Sequence, residues 1–423
     1  YGRDAELGQL LSAVERAMRG GSELLLVTGY AGVGKSALIH EVHKPVVARR
    51  GYFVSGKFDQ FKRNIPYASL IQAFRELVEQ ILAEPEERIE IFRDALREYL
   101  GPNGSIITEV IPEVEHIIGG QPAVQELGPT ESRNRFNRVF LQFVRVFARR
   151  EHPLVLFLDD LQWADSGSLY LVRLLALDPE LGHLLILGAF RDNEVDATHP
   201  DERAAYLKMR RQAEAAAPAL HLQPLRSGDV EELITDSFGD SANSRAAAEI
   251  VFEKTEGNPF HINEFLRSVH EDGLLRHSME SGWSWDTAGI RERDYTNNVV
   301  DFMFDRLQRL PAGAQEVLRY AACIGIQFHL HALSVVMKRS PAQAARELLE
   351  PMRYSLVIPR GDRYRMSEDL PGQVDPADSG LGYRFAHDRV QQAAYALIPE
   401  EQRRRTHLEI GRLLLESAQA SDE

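Results

Sequence analysis

Eight consecutive residues, Gly29-Tyr30-Ala31-Gly32-Val33-Gly34-Lys35-Ser36, carry the spacing GxxxxGK[ST] without a gap. Glycine at 29, 32 and 34 lets a short loop curl until its backbone N–H groups converge, and converging amides bind phosphate oxygens. The amides from Gly29 through Ala37, including those of Ala31, Gly32, Val33 and Gly34, are the candidates for that cradle. The Lys35 ammonium is placed to reach β- and γ-phosphates, and the Ser36 hydroxyl to complete a Mg2+ shell. An apolar run at 24–27 feeds the loop and a helix-forming run at 37–42 leaves it, the strand–loop–helix context that turns a string match into a nucleotide site.

A second reactive cluster is the apolar run Leu154-Val155-Leu156-Phe157-Leu158, closed by Asp159-Asp160. Such a run suits a strand buried on both faces of a parallel sheet. Ligands of these sheets gather at the carboxyl ends of the strands. Asp159 is therefore expected to hold Mg2+, and Asp160 to orient or activate the attacking water. Arg191 follows the next apolar run, 184–189, from where it can reach a γ-phosphate. Lys35, Asp160 and Arg191 are the candidate catalytic residues; Ser36 and Asp159 are the candidate metal ligands.

These groups need a sheet to hold them. Runs at 24–27, 52–55, 154–158, 184–189 and 220–222 predict five parallel strands with helices between them, a three-layer α/β domain. The helix after the glycine loop is expected to reach about residue 50, kinked at Pro45. A helical insertion is expected over about 66–150, with a break at Glu84-Pro85. Phe136, Phe140, Phe143 and Phe147 recur there at helical spacing and read as core. No guanine-reading Asn-Lys-x-Asp sequence follows the last strand, so adenine is favoured.

Downstream, 227–254 and 261–271 read as helices interrupted at Gly257-Asn258-Pro259-Phe260, an all-α lid. Val299, Met303, Leu307 and Leu310 mark another helical face. Helices at 315–322, 331–338 and after Ser340-Pro341, then two strands at 355–359 and 363–366, describe a winged helix, with Tyr383-Arg384-Phe385 and a helix at 387–397 beyond a loop. A last helix, 399–417, leaves Leu408, Leu413 and Leu415 exposed or half-buried, as at the start of a further helical domain. The expected division is 1–225, 226–290, 291–398 and 399–423.

At 423 residues the chain exceeds what one core usually serves. It is 44% hydrophobic and 26% charged, ordinary values for a globular protein. No apolar run approaches the roughly 20 residues that span a bilayer, so no membrane partner is expected. The chain opens on Tyr1 with no signal-like segment, which reads as a piece of something longer. Its one cysteine, Cys323, rules out an intramolecular disulfide and fits a cytoplasmic location. With 49 basic against 63 acidic residues, a formal charge of −14, nucleic acid is disfavoured as the main partner.

The opening Tyr1-Gly2-Arg3-Asp4-Ala5-Glu6-Leu7, the glycine loop, Asp159-Asp160-Leu161-Gln162-Trp163-Ala164-Asp165, Gly257-Asn258-Pro259-Phe260 and Tyr383-Arg384-Phe385-Ala386-His387-Asp388-Arg389-Val390 occur here in one chain. That combination resembles the STAND-class signal-transducing ATPases of the AAA-like branch. It resembles more closely the predicted ATPase module of multidomain bacterial serine/threonine kinase and sensor histidine kinase proteins. The resemblance implies an AAA-like P-loop NTPase fold with a helical lid and a winged helix. It implies that Gly2 and Arg3 line the adenine side, that Arg191 senses the γ-phosphate, and that Pro259 packs on the base. His387 would touch the β-phosphate of ADP and lock a closed state.

The implied activity is a slow ATPase switch, closed with ADP and open and self-associating with ATP, coupled to fused or partner kinase and sensor domains. Asp160 stands where many AAA+ motors carry Glu, in keeping with slow turnover. Two other readings stay open: a DNA-binding regulator ATPase using the winged helix, and a scaffold that holds nucleotide without turnover.

Overall fold

Five apolar strands form one parallel sheet: β1 (Ser22–Thr28), β2 (Tyr52–Lys57), β3 (Leu154–Asp159), β4 (Leu184–Phe190) and the short β5 (Leu220–His221). Their order is β2-β3-β4-β1-β5, and every neighbouring pair is parallel. The computed structural model describes residues 1–58, 65–191, 219–278, 282–292, 307–308, 310–354, 356–360 and 381–421. They fall into two units, Tyr1–Ile290 and Arg291–Glu423.

Side chains alternate across a strand, so a run without polar residues must be covered on both faces. On one face Leu24, Leu26, Val54, Leu156 and Ile186 share a core with the helical insertion and α9 (Ser166–Leu177). The insertion comprises α4 (Ala68–Leu82), α5 (Glu86–Leu100), α6 (Gly104–Thr108), α7 (Glu115–Ile118) and α8 (Pro129–Phe147). On the other face Leu25, Val27, Phe53, Phe157 and Leu187 meet α1 (Asp4–Met18), α2 (Lys35–His40) and α3 (His43–Ala48). Three layers result, as expected. The phenylalanines of α8 are core: Phe140 stacks edge-on to Phe74 at 5.2 Å and Phe143 to Phe147 at 4.9 Å.

The helix after the glycine loop departs from expectation. It stops at His40 and restarts at His43, instead of bending at Pro45. A proline ring collides with the carbonyl four residues earlier, here that of Glu41. The break therefore falls one turn upstream, and Pro45 sits in the first turn of α3, where it is tolerated.

The remainder of the first unit contains α10 (Ser227–Phe238), α11 (Ala242–Thr255) and α12 (Pro259–Glu271), the expected helices of the lid. It also contains an antiparallel hairpin, β6 (Leu275–Ser278) and β7 (Gly282–Trp285), and a short α13 (Thr287–Glu292). The hairpin corrects the all-α expectation. Its tryptophans Trp283 and Trp285 each meet Phe238 edge-on at 5.1 Å, which pins the hairpin to the end of α10.

In the second unit the described elements run α14 (Ala312–Ile324), β8 (Gln327–His329), α15 (Leu330–Met337), α16 (Pro341–Arg353), β9 (Val357–Arg360), β10 (Gly382–Phe385), α17 (Asp388–Ala396) and α18 (Glu400–Ser421). The strands form an antiparallel sheet in the order β8-β10-β9. β8 and β10 escaped the sequence reading, while the expected strand at 363–366 and the helical face at Val299 and Met303 lie outside the described residues. Ser340 caps α16 through a reciprocal box with Gln343. Cys323 is buried, which pushes its thiol up to about 11 and leaves it unreactive. On α18, Leu408 and Leu415 are 56% and 61% exposed, as the sequence suggested. No helix among the described residues is long and apolar enough to cross a membrane.

Candidate functional site

The loop between β1 and α2 turns on its glycines. Gly29, Gly32 and Gly34 have φ of 143°, 78° and 98°, a region that L side chains avoid. At Gly32 space decides as well, because a Cβ there would stand 2.7 Å from Phe260 Cβ and 2.9 Å from Asn258 Oδ1.

Each carbonyl of the loop has a donor. Lys35 Nζ donates to Gly29 O at 2.8 Å and to Tyr30 O at 2.9 Å. Asn258 Nδ2 donates to Ala31 O at 3.0 Å, and the Phe260 amide to Gly32 O at 3.2 Å. Arg3 Nη2 donates to Val33 O at 3.2 Å and to Gln223 O at 2.6 Å. The Leu38 amide donates to Gly34 O at 2.9 Å, the first bond of the helix. A trans peptide points its C=O and N–H in opposite directions, so a held carbonyl fixes the amide that follows it.

The acidic side is assembled by strand ends. β3 lies between β2 and β4, and Lys57 is in register with Asp159. Ser36 Oγ donates to Asp159 Oδ2 at 2.9 Å. Lys57 Nζ stands 3.1 Å from Asp160 Oδ2 and 4.0 Å from Asp159 Oδ2. Arg191 Nε lies 3.2 Å from Asp160 Oδ1, with both side chains 6% exposed. Gln162 Nε2 donates to the same oxygen at 2.9 Å, while Gln162 Oε1 accepts the Arg191 amide at 3.2 Å. Asp160 itself has φ 57° and ψ 44°, a left-handed conformation that Asp tolerates better than most residues.

The two acids are pushed apart electrostatically. Burial would raise the Asp160 carboxyl, but Lys57 and Arg191 beside it more than reverse this and hold it below the usual carboxylate range. Asp159 is raised, by burial first and then by the charge of Asp160. Burial works against the Lys57 ammonium, yet Asp160 and Asp159 outweigh it and raise its pKa.

The donor set suits Mg2+. Ser36 and Asp159 present a hydroxyl and a carboxylate side by side, and Mg2+ is commonly held by one or two protein oxygens together with phosphates and water.

A family model described as "AAA ATPase domain" matches residues 1–187. That part of the chain, which is similar to the AAA ATPase domains, contains the glycine loop, β2, the insertion and the acidic strand. Over 98% of its length the chain is 30% identical to hybrid signal transduction histidine kinase G of Dictyostelium discoideum, covering 14% of that protein. Over 96% it is 23% identical to an uncharacterized protein of Rhizobium meliloti, covering 36% of it. The chain therefore spans a minor part of these relatives. Among solved structures it is similar to a Signal Transduction ATPase with Numerous Domains (STAND) protein with a tetratricopeptide repeat sensor from Pyrococcus horikoshii. The TM-score is 0.49 and the identity 14%, over 99% of this chain and 45% of that one. The chain is an AAA-type ATPase module related to signalling histidine kinases.

Of the residues singled out in the sequence, the first unit gathers Lys35, Ser36, Asp159, Asp160 and Arg191 at the strand ends. Arg3 reaches the loop, whereas Gly2 (φ 59°) lies under the Asp229 carboxylate at the start of α10. Pro259 is the first residue of α12, and its neighbours Asn258 and Phe260 make the bonds to the loop. His387 belongs to the second unit, where its Nδ1 accepts the Arg389 amide at 3.1 Å and caps α17. Sequence reasoning missed Lys57, Gln162 and Asn258. For Lys57 the missing signal is strand order, which places it beside the acidic strand.

Proposed function

We propose that the module binds ATP and hydrolyses it slowly, as a switch that ADP holds closed and ATP opens for self-association and signalling. The observation that carries this reading is the glycine loop between two sets of contacts, Ser36 with Asp159 on one side and the lid residues Asn258 and Phe260 on the other. Such a loop can report its occupancy to the lid.

Lys35 exchanges its loop carbonyls for β- and γ-phosphate oxygens, keeping a charge-assisted bond throughout. Mg2+ held by Ser36 and Asp159 would supply charge neutralisation between those phosphates. Arg191, at the end of the strand between the loop and the acidic strand, turns its guanidinium to the γ-phosphate. Asp160, kept ionised by Lys57 and Arg191, orients the attacking water. A carboxylate held below its usual range is a weak base, which supports slow turnover. Moving a two-state switch from 1:99 to 99:1 takes about 5.5 kcal/mol of differential binding. A few charge-assisted bonds at about 1.5–3 kcal/mol each can supply that.

On this reading the chain divides into a nucleotide domain (1–225), a lid (226–290), a winged helix (291–398) and the start of a helical domain (399–423), with kinase and sensor domains as fused or separate partners. Gly2, Arg3 and Pro259 line the base, and His387 meets the β-phosphate of ADP. The test is phosphate release together with solution size. ATP with Asp160→Ala should give a larger species than ADP gives, and wild type should release phosphate slowly. Identical sizes with ATP and ADP and no phosphate release would overturn the switch.

The helix–strand–helix–helix–strand–strand order of the second unit favours one other reading, duplex DNA binding by a winged helix. Binding that falls steeply with salt would support it, against the formal charge of −14.

A further inference from the structure

We propose that Asn258 is a positioning residue for the bound phosphates, acting through the peptide that joins Ala31 to Gly32. This rests on the nucleotide-site reading above and adds a specific device to it. Asn258 is 8% exposed and divides its amide between two tasks. Its Oδ1 accepts the Phe260 amide at 3.1 Å and faces that of His261 at 3.5 Å, capping α12. Its Nδ2 donates to Ala31 O at 3.0 Å, across 227 positions of sequence. The orientation of the amide is fixed chemically, since a carbonyl needs the NH2 group and two amides need the oxygen.

The consequence follows from peptide geometry. Ala31 C=O and Gly32 N–H share one plane and point opposite ways. Gly32 has φ 78° and no Cβ, so this peptide is otherwise among the easiest in the loop to flip. Holding Ala31 O toward the lid turns Gly32 N–H away from it, into the hollow of the loop. The Phe260 N–H, in the same first turn of α12, is shared between Asn258 Oδ1 and Gly32 O, the latter at 3.2 Å. The lid therefore shapes the phosphate cradle from behind, and lid displacement alone would loosen the nucleotide.

Separating this role from helix capping requires a side chain that caps without reaching the loop. Serine caps as well as asparagine, but its hydroxyl is too short to reach Ala31 O while capping. The experiment compares wild type, Asn258→Ser and Asn258→Ala for ADP affinity and dissociation rate, and for Tm without nucleotide. Asn258→Ser should keep the wild-type Tm and release ADP about five- to tenfold faster, the effect of one net hydrogen bond. Asn258→Ala should show the same release defect together with a lowered Tm. Wild-type ADP binding by Asn258→Ser, or weakened binding only in variants whose Tm falls, would overturn the proposal and leave Asn258 as a cap. Failure of wild type itself to bind ADP would overturn the nucleotide-site reading instead.

Discussion

The two sides of the candidate site are held by different physics. The glycine loop is held by hydrogen bonds to its carbonyls, several of them from residues far away in sequence: Arg3, Asn258 and Phe260. The acidic side is held by charge, among groups on three adjacent strand ends of one sheet: Lys57, Asp159, Asp160 and Arg191. A parallel sheet buried on both faces is the stiffest part of such a domain, so the charge cluster keeps its geometry when other parts move. The loop is held by helices that follow the sheet in sequence, through Asn258 and Phe260. On the proposed function, nucleotide affinity is tuned through the lid without disturbing the residues proposed for hydrolysis.

Substitutions on each side should separate the two. The largest effect is expected for Lys35→Ala, which removes both the inner anchor of the loop and the cation for the phosphates. Nucleotide affinity measured by calorimetry should fall by at least about 100-fold. Next is Asp160→Asn, which should retain ATP and slow phosphate release by about 100-fold. Equal rates in the variant and wild type would remove Asp160 from the mechanism.

Lys57→Met probes the charge side through stability. The Asp160 carboxyl is lower in the folded state than in the unfolded chain, so it stabilises the fold above the ordinary carboxylate pKa. That stability is lost as pH falls through the depressed folded value. Asp159 has the opposite sign: its raised pKa contributes stability at low pH, which is lost as pH rises through it. Removing Lys57 takes a counter-charge from both acids. The variant should melt about 2–4 °C below wild type at pH 7, with the gap closing in acid as the carboxylates protonate. A gap independent of pH would mean that Lys57 acts by packing.

The smallest effect concerns His387. His387→Asn keeps a good cap on α17 and should leave Tm nearly unchanged, whereas His387→Ala should cost about 1 kcal/mol. Faster ADP release from His387→Asn would add the phosphate contact to the cap, and unchanged release would leave the cap alone.

The same division explains what the sequence could tell. The five strands were legible because strands covered on both faces leave apolar runs of distinctive length, and the glycine loop because phosphate chemistry constrains contiguous residues. Asp159 and Asp160 were legible for the same reason. Lys57 was not, because strand order is absent from the sequence and nothing local says that β2 adjoins β3. Asn258 read as an ordinary helix-start turn, since its partner Ala31 lies in another element. The β6–β7 hairpin was hidden by its short strands, and the break before α3 by a proline acting one turn upstream of itself.

The most direct test of the central claim is the nucleotide released when freshly purified protein is denatured and its supernatant is chromatographed. A switch whose lid braces the phosphate loop should release close to one ADP per chain. A nucleotide-free chain that also fails to take up added ADP or ATP would contradict the account.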